Sequence, residues 1–307
     1  MKERNRIESR VRLVSVLMLV CVALYFISCK DDKDEPKKDE NQTSNLTLDI
    51  SGLEDLGDKA AYEGWIIVDG KPVTTGTFEV DEKGKLSKTT FSLSKAMLDK
   101  ATAFVLTIEP KPDTDPAPSK VHILAGDFSS ASASLTVGHK SALNEDFSSV
   151  VGKYVLATPT DGDDEKDEES GLWFLDNSSG SAEAGLVLPE LPEGWAYEGW
   201  AVIDGKPVST GVFTAVDKAD AAAPYSGTTA GPAYPGEDFL MSAPEGLTFP
   251  VDIRGGKAVI SVEPVPDNSA APFLLKPLVS DISATAETHS VIDMNQNLTF
   301  PTGQAKR

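Results

Sequence analysis

The sequence has few of the residues on which disulfides, thiolate metal sites and imidazole chemistry depend. It contains two cysteines, Cys21 and Cys29, and three histidines among 307 residues. Both cysteines lie in or directly after the apolar run near the N-terminus, so the rest of the chain has no thiol for a cross-link or a soft metal ion. We therefore expect the globular part to be held together by core packing alone.

Positive charge is also scarce. Lysine and arginine together number 28 against 48 aspartates and glutamates, which gives a formal net charge of −20. Removal of residues 1–28, with five basic and two acidic side chains, would bring the net charge to about −23. Such a field repels nucleic acid and anionic lipid, and no basic stripe is present to neutralise phosphates. We predict no nucleic-acid partner.

Catalytic and metal-binding motifs are missing as well. The sequence contains no H-E-x-x-H, G-x-S-x-G, P-loop or G-x-G-x-x-G pattern, and His122, His139 and His289 do not fall at a metal-ligand spacing. The acidic loop at 161–169 fails the EF-hand pattern because Lys166 occupies the glycine position. We interpret it as a solvated loop and predict no catalytic residue, no metal site and no cofactor.

The first 28 residues have the pattern of an export signal. Basic residues precede the apolar run Leu13–Ser28. The run ends in Phe26-Ile-Ser-Cys29, which resembles the lipobox of bacterial lipoproteins, where the cysteine is acylated and becomes the mature N-terminus. The alternative is an uncleaved anchor, since a spanning helix needs only ~17–25 apolar residues. We predict that Cys29 carries the lipid.

Residues 29–45 are predicted to be a disordered tether. They are almost entirely polar, and such a segment cannot offset its ordering entropy by burial. The stretch that follows Cys29, KDDKDE, resembles the surface-export signal of lipoproteins from Bacteroidota, and a plain solvated linker is the alternative. We expect an outer-membrane lipoprotein whose membrane partner is reached through the lipid and whose globular part faces the outside.

One phrase occurs twice in the remaining chain. AYEGWIIVDGKPVTTGTF at Ala61–Phe78 and AYEGWAVIDGKPVSTGVF at Ala196–Phe213 are identical at 13 of 18 positions. A second repeated phrase follows each, at Ala103–Pro118 and Lys257–Pro272. The second copy is longer, and the Gly/Pro/Ala-rich stretch 221–238 accounts for its extra residues. Repetition at this length predicts two domains of one fold.

Each copy of the first phrase is predicted to be a β-hairpin. Asp-Gly between two β-prone runs is typical of a two-residue turn in which both residues need positive φ. A proline follows each turn, which places the second strand at a sheet edge because proline has no N–H to donate. The residues concerned are Trp65, Asp69, Gly70 and Pro72 in the first copy and Trp200, Asp204, Gly205 and Pro207 in the second.

The rest of the pattern predicts an all-β fold of two tandem β-sandwiches. Short alternating strands, frequent Gly/Pro turns and a single short helix at 94–100 favour this class. We place domain 1 at 46–151 and domain 2 at 152–307. The strands predicted at 152–161 and 171–176 have no counterpart before the first copy, and we assign them to domain 2.

These phrases resemble the extracytoplasmic, C-terminal domain of the anti-sigma-K factor RskA family. Shared features are a Trp-containing strand, a D-G-x-P turn, a G-x-F segment and T-x-E-P before V-x-L-A-G. Of the further matching positions, the first copy has Gly76, Phe78, Thr107 and Glu109, whereas the second has Gly211, Phe213 and Glu263 but replaces the threonine by Ser261. The resemblance implies an envelope-side regulatory role. In that family a cytoplasmic segment holds the sigma factor, and only about ten residues precede the apolar run here, too few for that task.

For the individual repeated residues we favour structural roles. Trp65 and Trp200 are expected in the core, although a ligand platform is the alternative. Glu109 and Glu263 end matching strands, where they are expected to pair with Lys71 and Lys206 or to cap a turn. His139 and His289 recur near the end of each copy, which predicts a structural hydrogen bond in each.

The sequence therefore predicts a lipid-anchored, non-enzymatic binding or regulatory module of the cell envelope. Its partner would be an envelope protein or a glycan. The alternative function is surface adhesion through glycan binding, which exposed aromatics such as Tyr225 and Tyr234 of the insertion would favour.

Overall fold

The computed structural model describes residues 42–162, 166–267 and 269–307, all within one compact unit. The predicted signal, Cys29 and the tether up to residue 41 lie outside the described residues. None of the helices that the structure does describe has the length and apolar character needed to cross a membrane.

The fold is all-β, as predicted. The first half contains seven strands and one short helix: β1 Thr43–Ser51, β2 Ala60–Val68, β3 Lys71–Phe78, β4 Thr90–Ser94, α1 Lys95–Lys100, β5 Ala101–Pro110, β6 His122–Ser129 and β7 Ser132–Leu135. Helix α1 lies where the sequence predicts one, with Ser94 at its N-cap. Strand β1 begins at Thr43, so residues 43–45 belong to a strand and not to the predicted tether. They need no buried side chains there, because pairing with β4 satisfies their backbone groups.

The second half contains the three strands of the two repeated phrases, together with shorter strands around them. They are β8 Val151–Tyr154, β9 Gly171–Trp173, β10 Leu175–Asp176, β11 Glu183–Ala184, β12 Leu186–Val187, β13 Trp195–Ile203, β14 Lys206–Phe213, β15 Gly236–Asp238, β16 Lys257–Pro264, β17 Leu278–Asp281, β18 Ile292–Asp293 and β19 Asn295–Gln296, followed by β20 Thr302–Lys306. Single 3-10 turns occupy Pro159–Asp161 and Glu168–Ser170.

The first half is organised by one eight-stranded sheet in the order β3-β2-β5-β6-β7-β20-β1-β4. The two outermost strands approach each other, because the rings of Phe78 on β3 and Phe91 on β4 have centroids 6.2 Å apart. Leu46, Leu48 and Ile50 of β1 point into the same core. The sheet is thereby curled over its own apolar face.

The second half repeats the hairpin and its neighbour but not the whole sheet. Its main sheet has the order β14-β13-β16-β17-β19, in which β13, β14 and β16 correspond to β2, β3 and β5. The strands predicted at 152–161 and 171–176 pair within this half, since β8 pairs with β12 and β18, and β9 with β15. Their assignment to the second copy is consistent with this pairing.

Both hairpins have the predicted turn. Asp69 and Gly70 have φ of 50° and 76°, and Asp204 and Gly205 have φ of 51° and 77°. Strands β3 and β14, which carry the prolines, are the end strands of their sheets. In each copy a β-bulge shifts the register between the two hairpin strands, directly after Gly64 and Gly199.

The C-terminal strand corrects the predicted boundary of domain 2. Strand β20 lies between β1 and β7, antiparallel to both, and is therefore part of the first sheet. Arg307 extends this contact by donating hydrogen bonds to the carbonyl oxygens of Leu98 and Ala101. The short polar sequence TGQAK gives no hydrophobic signal for this position, because it joins the sheet through its backbone.

Candidate functional site

The repeated tryptophan and glutamate of the first copy meet inside the protein. Trp65, only 3% exposed, donates from Nε1 to Thr107 Oγ1 at 2.9 Å. The Thr107 hydroxyl in turn donates to Glu109 Oε1, which also accepts from the amide of Ser119 at 2.9 Å. Strands β2 and β5 are neighbours, and their register brings the indole and the hydroxyl together.

The second copy builds the same chain of hydrogen bonds. Trp200, 2% exposed, donates to Ser261 Oγ at 2.8 Å, and the Ser261 hydroxyl donates to Glu263 Oε1. The amide of Phe273 lies 2.9 Å from the same oxygen. The exchange of threonine for serine between the copies preserves the one group the arrangement needs, a hydroxyl that both accepts and donates.

Both tryptophans are thus core residues, as predicted, and the two glutamates hold loop amides. The predicted pairing of Glu263 with Lys206 is wrong, since Lys206 donates to the carbonyl oxygens of Glu245 and Gly246. Burial is the main cause that raises the pKa of Glu263 to about 7, and the nearby carboxylates of Asp267 and Glu198 contribute to that rise. This glutamate is more easily kept neutral than an exposed one.

A second buried carboxylate in each copy was missed at the level of sequence. Glu63 accepts from the hydroxyl of Thr74, and Glu198 accepts from that of Ser209. The sequence does carry a sign of these pairs, because the two copies differ here only by threonine (Thr74) or serine (Ser209), and both keep the hydroxyl group. In the second copy Glu198, Glu263 and Asp267 each offer a carboxylate oxygen, and these three oxygens lie within 4.8 Å of one another.

An open cavity lies elsewhere in the second half, and we call it the β9 cleft. It has a volume of about 460 Å³. Its wall is formed by Val155, Ala157, Pro159, Gly162, Trp173, Leu175, Ala182 and Pro232, with polar groups from Thr158, Glu168, Asn177 and His289. Most of these positions belong to stretches that have no match in the first copy, including the insertion at 221–238.

Local structure fixes the polar side of the β9 cleft. His289 Nε2 lies 3.2 Å from Glu168 Oε2, and its side chain is 61% exposed. The same carboxylate oxygen accepts from the amide of Thr158 at 3.0 Å. Asn177 Nδ2 donates to the carbonyl oxygen of His289 at 3.1 Å. The carboxylate and imidazole are therefore held in place at the cleft and remain accessible from one side.

The floor of the cleft is held by a buried tryptophan. Trp173 Nε1 donates to Asp238 Oδ1 at 2.6 Å, and this aspartate also accepts from the amide of Thr160 at 2.8 Å. Burial raises the pKa of Asp238. Side chains at Gly231 and Gly236 would collide with the Trp173 ring, since their Cβ atoms would lie 2.5 Å and 2.6 Å from its carbons. These glycines let the insertion pack flat against the indole.

The repeated histidines have acquired different surroundings. His139 accepts from the amide of Ser141 at 3.1 Å, and its Nε2 lies 3.4 Å from Asp127. The hydrogen bond predicted for His139 is present, whereas for the side chain of His289 the described residues show only a potential ion pair with Glu168. His289 lies at the rim of a cleft and His139 in a turn. Sequence alone showed their matching positions and not this difference.

The insertion does not present exposed aromatics. Tyr225 is half-buried and packs edge-on against Phe249 with centroids 5.5 Å apart. Tyr234 is also half-buried, and its hydroxyl donates to the carbonyl oxygen of Ala182 at 2.9 Å. The exposed aromatic side chains that would favour glycan binding are therefore not found among these two tyrosines, which contact other parts of the protein.

The β9 cleft has the character of a binding site. Apolar walls with a few fixed polar groups are typical of ligand pockets, and its volume lies within their range. Among its described lining residues the only hydroxyl is that of Thr158, whose Oγ1 donates to Asp161 Oδ2 at 3.3 Å. The chain matches no protein-family model, no curated protein and no solved structure.

Proposed function

We propose that this chain is a lipid-anchored, non-enzymatic binding module of the bacterial cell envelope, and that the β9 cleft is its ligand site. The observation that carries the proposal is the cleft itself, because it is formed where the two copies of the repeat differ. The repeated tryptophans, by contrast, are buried and form internal hydrogen bonds.

The proposed ligand is a basic segment of an envelope protein. The Glu168 carboxylate at the cleft accepts hydrogen bonds, and the formal charge of −20 would attract a cationic partner. The apolar wall would bury the aliphatic part of lysine or arginine side chains while the carboxylate meets the charged end. Glycan binding is less well supported, because Tyr225 and Tyr234 are half-buried and make contacts within the protein.

The anchor and the regulatory role extend the proposal beyond the described residues. The lipobox-like end of the apolar run supports acylation of Cys29, and the resemblance to the RskA extracytoplasmic domain supports a link to sigma-factor signalling. Replacement of Cys29 by serine should move the protein out of the membrane fraction. Deletion of the protein should change the transcripts of an envelope-stress sigma factor, and an unchanged profile would remove the regulatory part.

A pair of matched substitutions tests the cleft. Ala182 lines it and is exposed, so Ala182→Trp should fill it without touching the core. Ala117→Trp places the same side chain on an exposed loop of the first half. After crosslinking on intact cells, wild type and Ala117→Trp should recover the same partner, and Ala182→Trp should lose it.

Equal recovery with both variants would show that the partner does not use the cleft. A glycan array tests the alternative, since strong hits abolished by Ala182→Trp would replace the protein partner by a carbohydrate. High salt should weaken the binding of a basic protein segment but not that of a neutral glycan, because only the former binding depends on charge.

A further inference from the structure

We infer that Glu198, Glu263 and Asp267 form a binding site for a calcium ion in the second half of the protein. The site goes beyond the proposed function, because none of these residues lines the β9 cleft. Two of the three belong to the central strands β13 and β16, and Asp267 follows β16 in the loop after Pro264.

The geometry of the three carboxylates suits one hard cation. Their offered oxygens lie within 4.8 Å of one another. Calcium binds oxygen at about 2.3–2.6 Å, so two ligands on opposite sides of one ion can be about 5 Å apart. Magnesium binds at about 2.0–2.1 Å and would require a tighter set. With only carboxylate oxygens present, the set favours calcium over softer transition metals.

An independent observation points to a missing ligand. Glu198 is 5% exposed and Glu263 is 1% exposed, and in both the Oε2 atom is buried without a hydrogen-bond partner among the described residues. Their Oε1 atoms are already engaged by the hydroxyls of Ser209 and Ser261. Buried carboxylate oxygens are normally satisfied, because leaving one without a partner is unfavourable. The two free oxygens are the ones left to bind a cation.

No basic side chain of the described residues lies within ion-pair distance of these carboxylates. Lys276 interacts electrostatically with Glu263, but its larger interaction is with Glu54. Asp220 interacts with Glu198 and adds a further acidic side chain on that side, so acidic groups are in excess here. A divalent ion would balance this excess.

The first copy has the same three residue types at the corresponding positions, but their carboxylate oxygens have different hydrogen bonds. Glu63, Glu109 and Asp113 stand at the corresponding positions, but the amide of Ser119 lies 2.9 Å and 3.2 Å from the two oxygens of Glu109. Both are therefore engaged, whereas Phe273 in the second copy reaches only one oxygen of Glu263. The corresponding carboxylates of the first copy can therefore serve as the control for the proposed site.

Calcium titration of the purified full chain tests the site. After treatment with EDTA and exchange into buffer at pH 7.5, isothermal titration calorimetry should detect one calcium per chain. We expect a dissociation constant of about 0.1–1 mM, the range of extracellular modules. The thermal midpoint should rise with calcium and much less with magnesium at equal ionic strength, because a ligand that binds only the folded state stabilises it.

Three substitutions locate the proposed ion, two of them a matched pair in the two copies. Asp267 is exposed, and its Oδ1 accepts from the amide of Ser269 at 2.8 Å, just as Asp113 Oδ1 accepts from Asp115 at 2.9 Å. Asp267→Asn should weaken calcium binding by about tenfold or more, because affinity follows the charge of the ligand set. Asp113→Asn should bind as wild type does. Glu263→Gln should abolish binding while remaining folded, since it keeps the shape and removes a buried charge.

Several results would overturn the inference. One is the absence of heat and of any thermal shift up to about 10 mM calcium, tenfold above the weakest affinity expected. Unchanged binding by Asp267→Asn would exclude that ligand set, and equal loss in Asp113→Asn would point to a non-specific effect of surface charge. A larger response to magnesium would assign the site to a different ion.

Discussion

At the scale of the residue, the protein is notable for buried carboxylates held by hydroxyl groups. Four such pairs occur in the repeated hairpins and their neighbours, and in each pair the hydroxyl comes from threonine in the first copy and serine in the second. A hydroxyl can accept from an indole and donate to a carboxylate at once, which an aliphatic side chain cannot do. Several polar residues shared by the two copies are therefore explained by the hydrogen bonds that they form with each other inside the fold.

Thr107 tests this interpretation. Thr107→Val keeps the shape but leaves the Trp65 indole N–H without its acceptor, and we expect a loss of about 1–3 kcal/mol in the free energy of unfolding. Thr107→Ser should remain close to wild type, because Ser261 performs the same task in the second copy. Urea denaturation of both variants gives the comparison. If serine were as harmful as valine, the methyl group and not the hydroxyl would be the important feature.

The buried acids also predict an unusual dependence of stability on pH. Burial raises the pKa values of Asp220, Glu237 and Glu263 to about 7, well above their ordinary values of 3.8 and 4.5. The folded state therefore holds protons that the unfolded state has already released between about pH 4.5 and 7. This stabilisation is complete below the unfolded pKa values and is lost as pH rises through 7.

In the presence of EDTA the thermal midpoint should therefore be higher at pH 5.5 than at pH 8. Glu237→Gln should reduce this difference, because it removes one group that contributes on the order of 3 kcal/mol. Glu237 is completely buried and separate from the proposed calcium ligands. A midpoint that instead rises steadily towards pH 8 would show that these carboxyl groups are ionised in the folded protein at neutral pH.

At the scale of the element, the two hairpins show that glycines in one phrase serve different purposes. Gly205 has φ of 77° and open space around it, so its role is conformational. Gly199 lies in the bulge, where a Cβ would meet the side chain of Thr210 and come within 2.6 Å of the Phe174 ring. Its role is to allow strand β13 to approach the aromatic core.

These two glycines should respond differently to the same substitution. Gly205→Ala should cost about 1 kcal/mol because of its left-handed backbone, and Gly205→Asn less, since asparagine tolerates this region. Gly199→Ala should cost about 1–3 kcal/mol or more, because the added methyl overpacks the core. Chemical denaturation distinguishes them. Equal costs at both positions would mean that the bulge relaxes to accept a side chain.

At the scale of the whole molecule, the last strand connects the end of the chain to its beginning. Strand β20 occupies an internal place in the first sheet, between β1 and β7. Ala305 is fully buried there, and Arg307 lies over the ring of Phe128 at 4.5 Å from its centroid. The buried apolar side chains of both halves also form one continuous core. The two copies of the repeat are therefore combined in a single unit.

Truncation tests this arrangement. Deletion of residues 302–307 should leave the facing edges of β1 and β7 without partners, and we expect loss of cooperative melting of the first half. Deletion of Arg307 alone should lower the thermal midpoint but preserve the fold, since the strand stays in place. Circular dichroism and hydrogen exchange report both effects. Normal protection of β1 and β7 in the longer deletion would show that the first sheet forms without its last strand.

The fold class, the hairpins and the roles of the tryptophans could be predicted from sequence because they depend on local chemistry. Asp-Gly turns need positive φ, proline cannot donate from a strand, and an apolar strand buries its tryptophan. The β9 cleft could not be predicted, since it joins Pro232, Glu168 and His289 from separate parts of the chain. No periodicity or residue spacing in the sequence indicates that these three segments lie together in the fold.

The sequence by itself determined the all-β class, the repeat and the turn geometry, because each follows from the conformational limits of a few neighbouring residues. Only the tertiary structure decided that β20 belongs to the first sheet, since a polar strand that pairs through its backbone has no hydrophobic pattern in the sequence. It also decided that Glu263 keeps a free oxygen while Glu109 does not. That difference arises from how many oxygens the amides of Phe273 and Ser119 reach, which depends on loop placement rather than on the glutamates themselves.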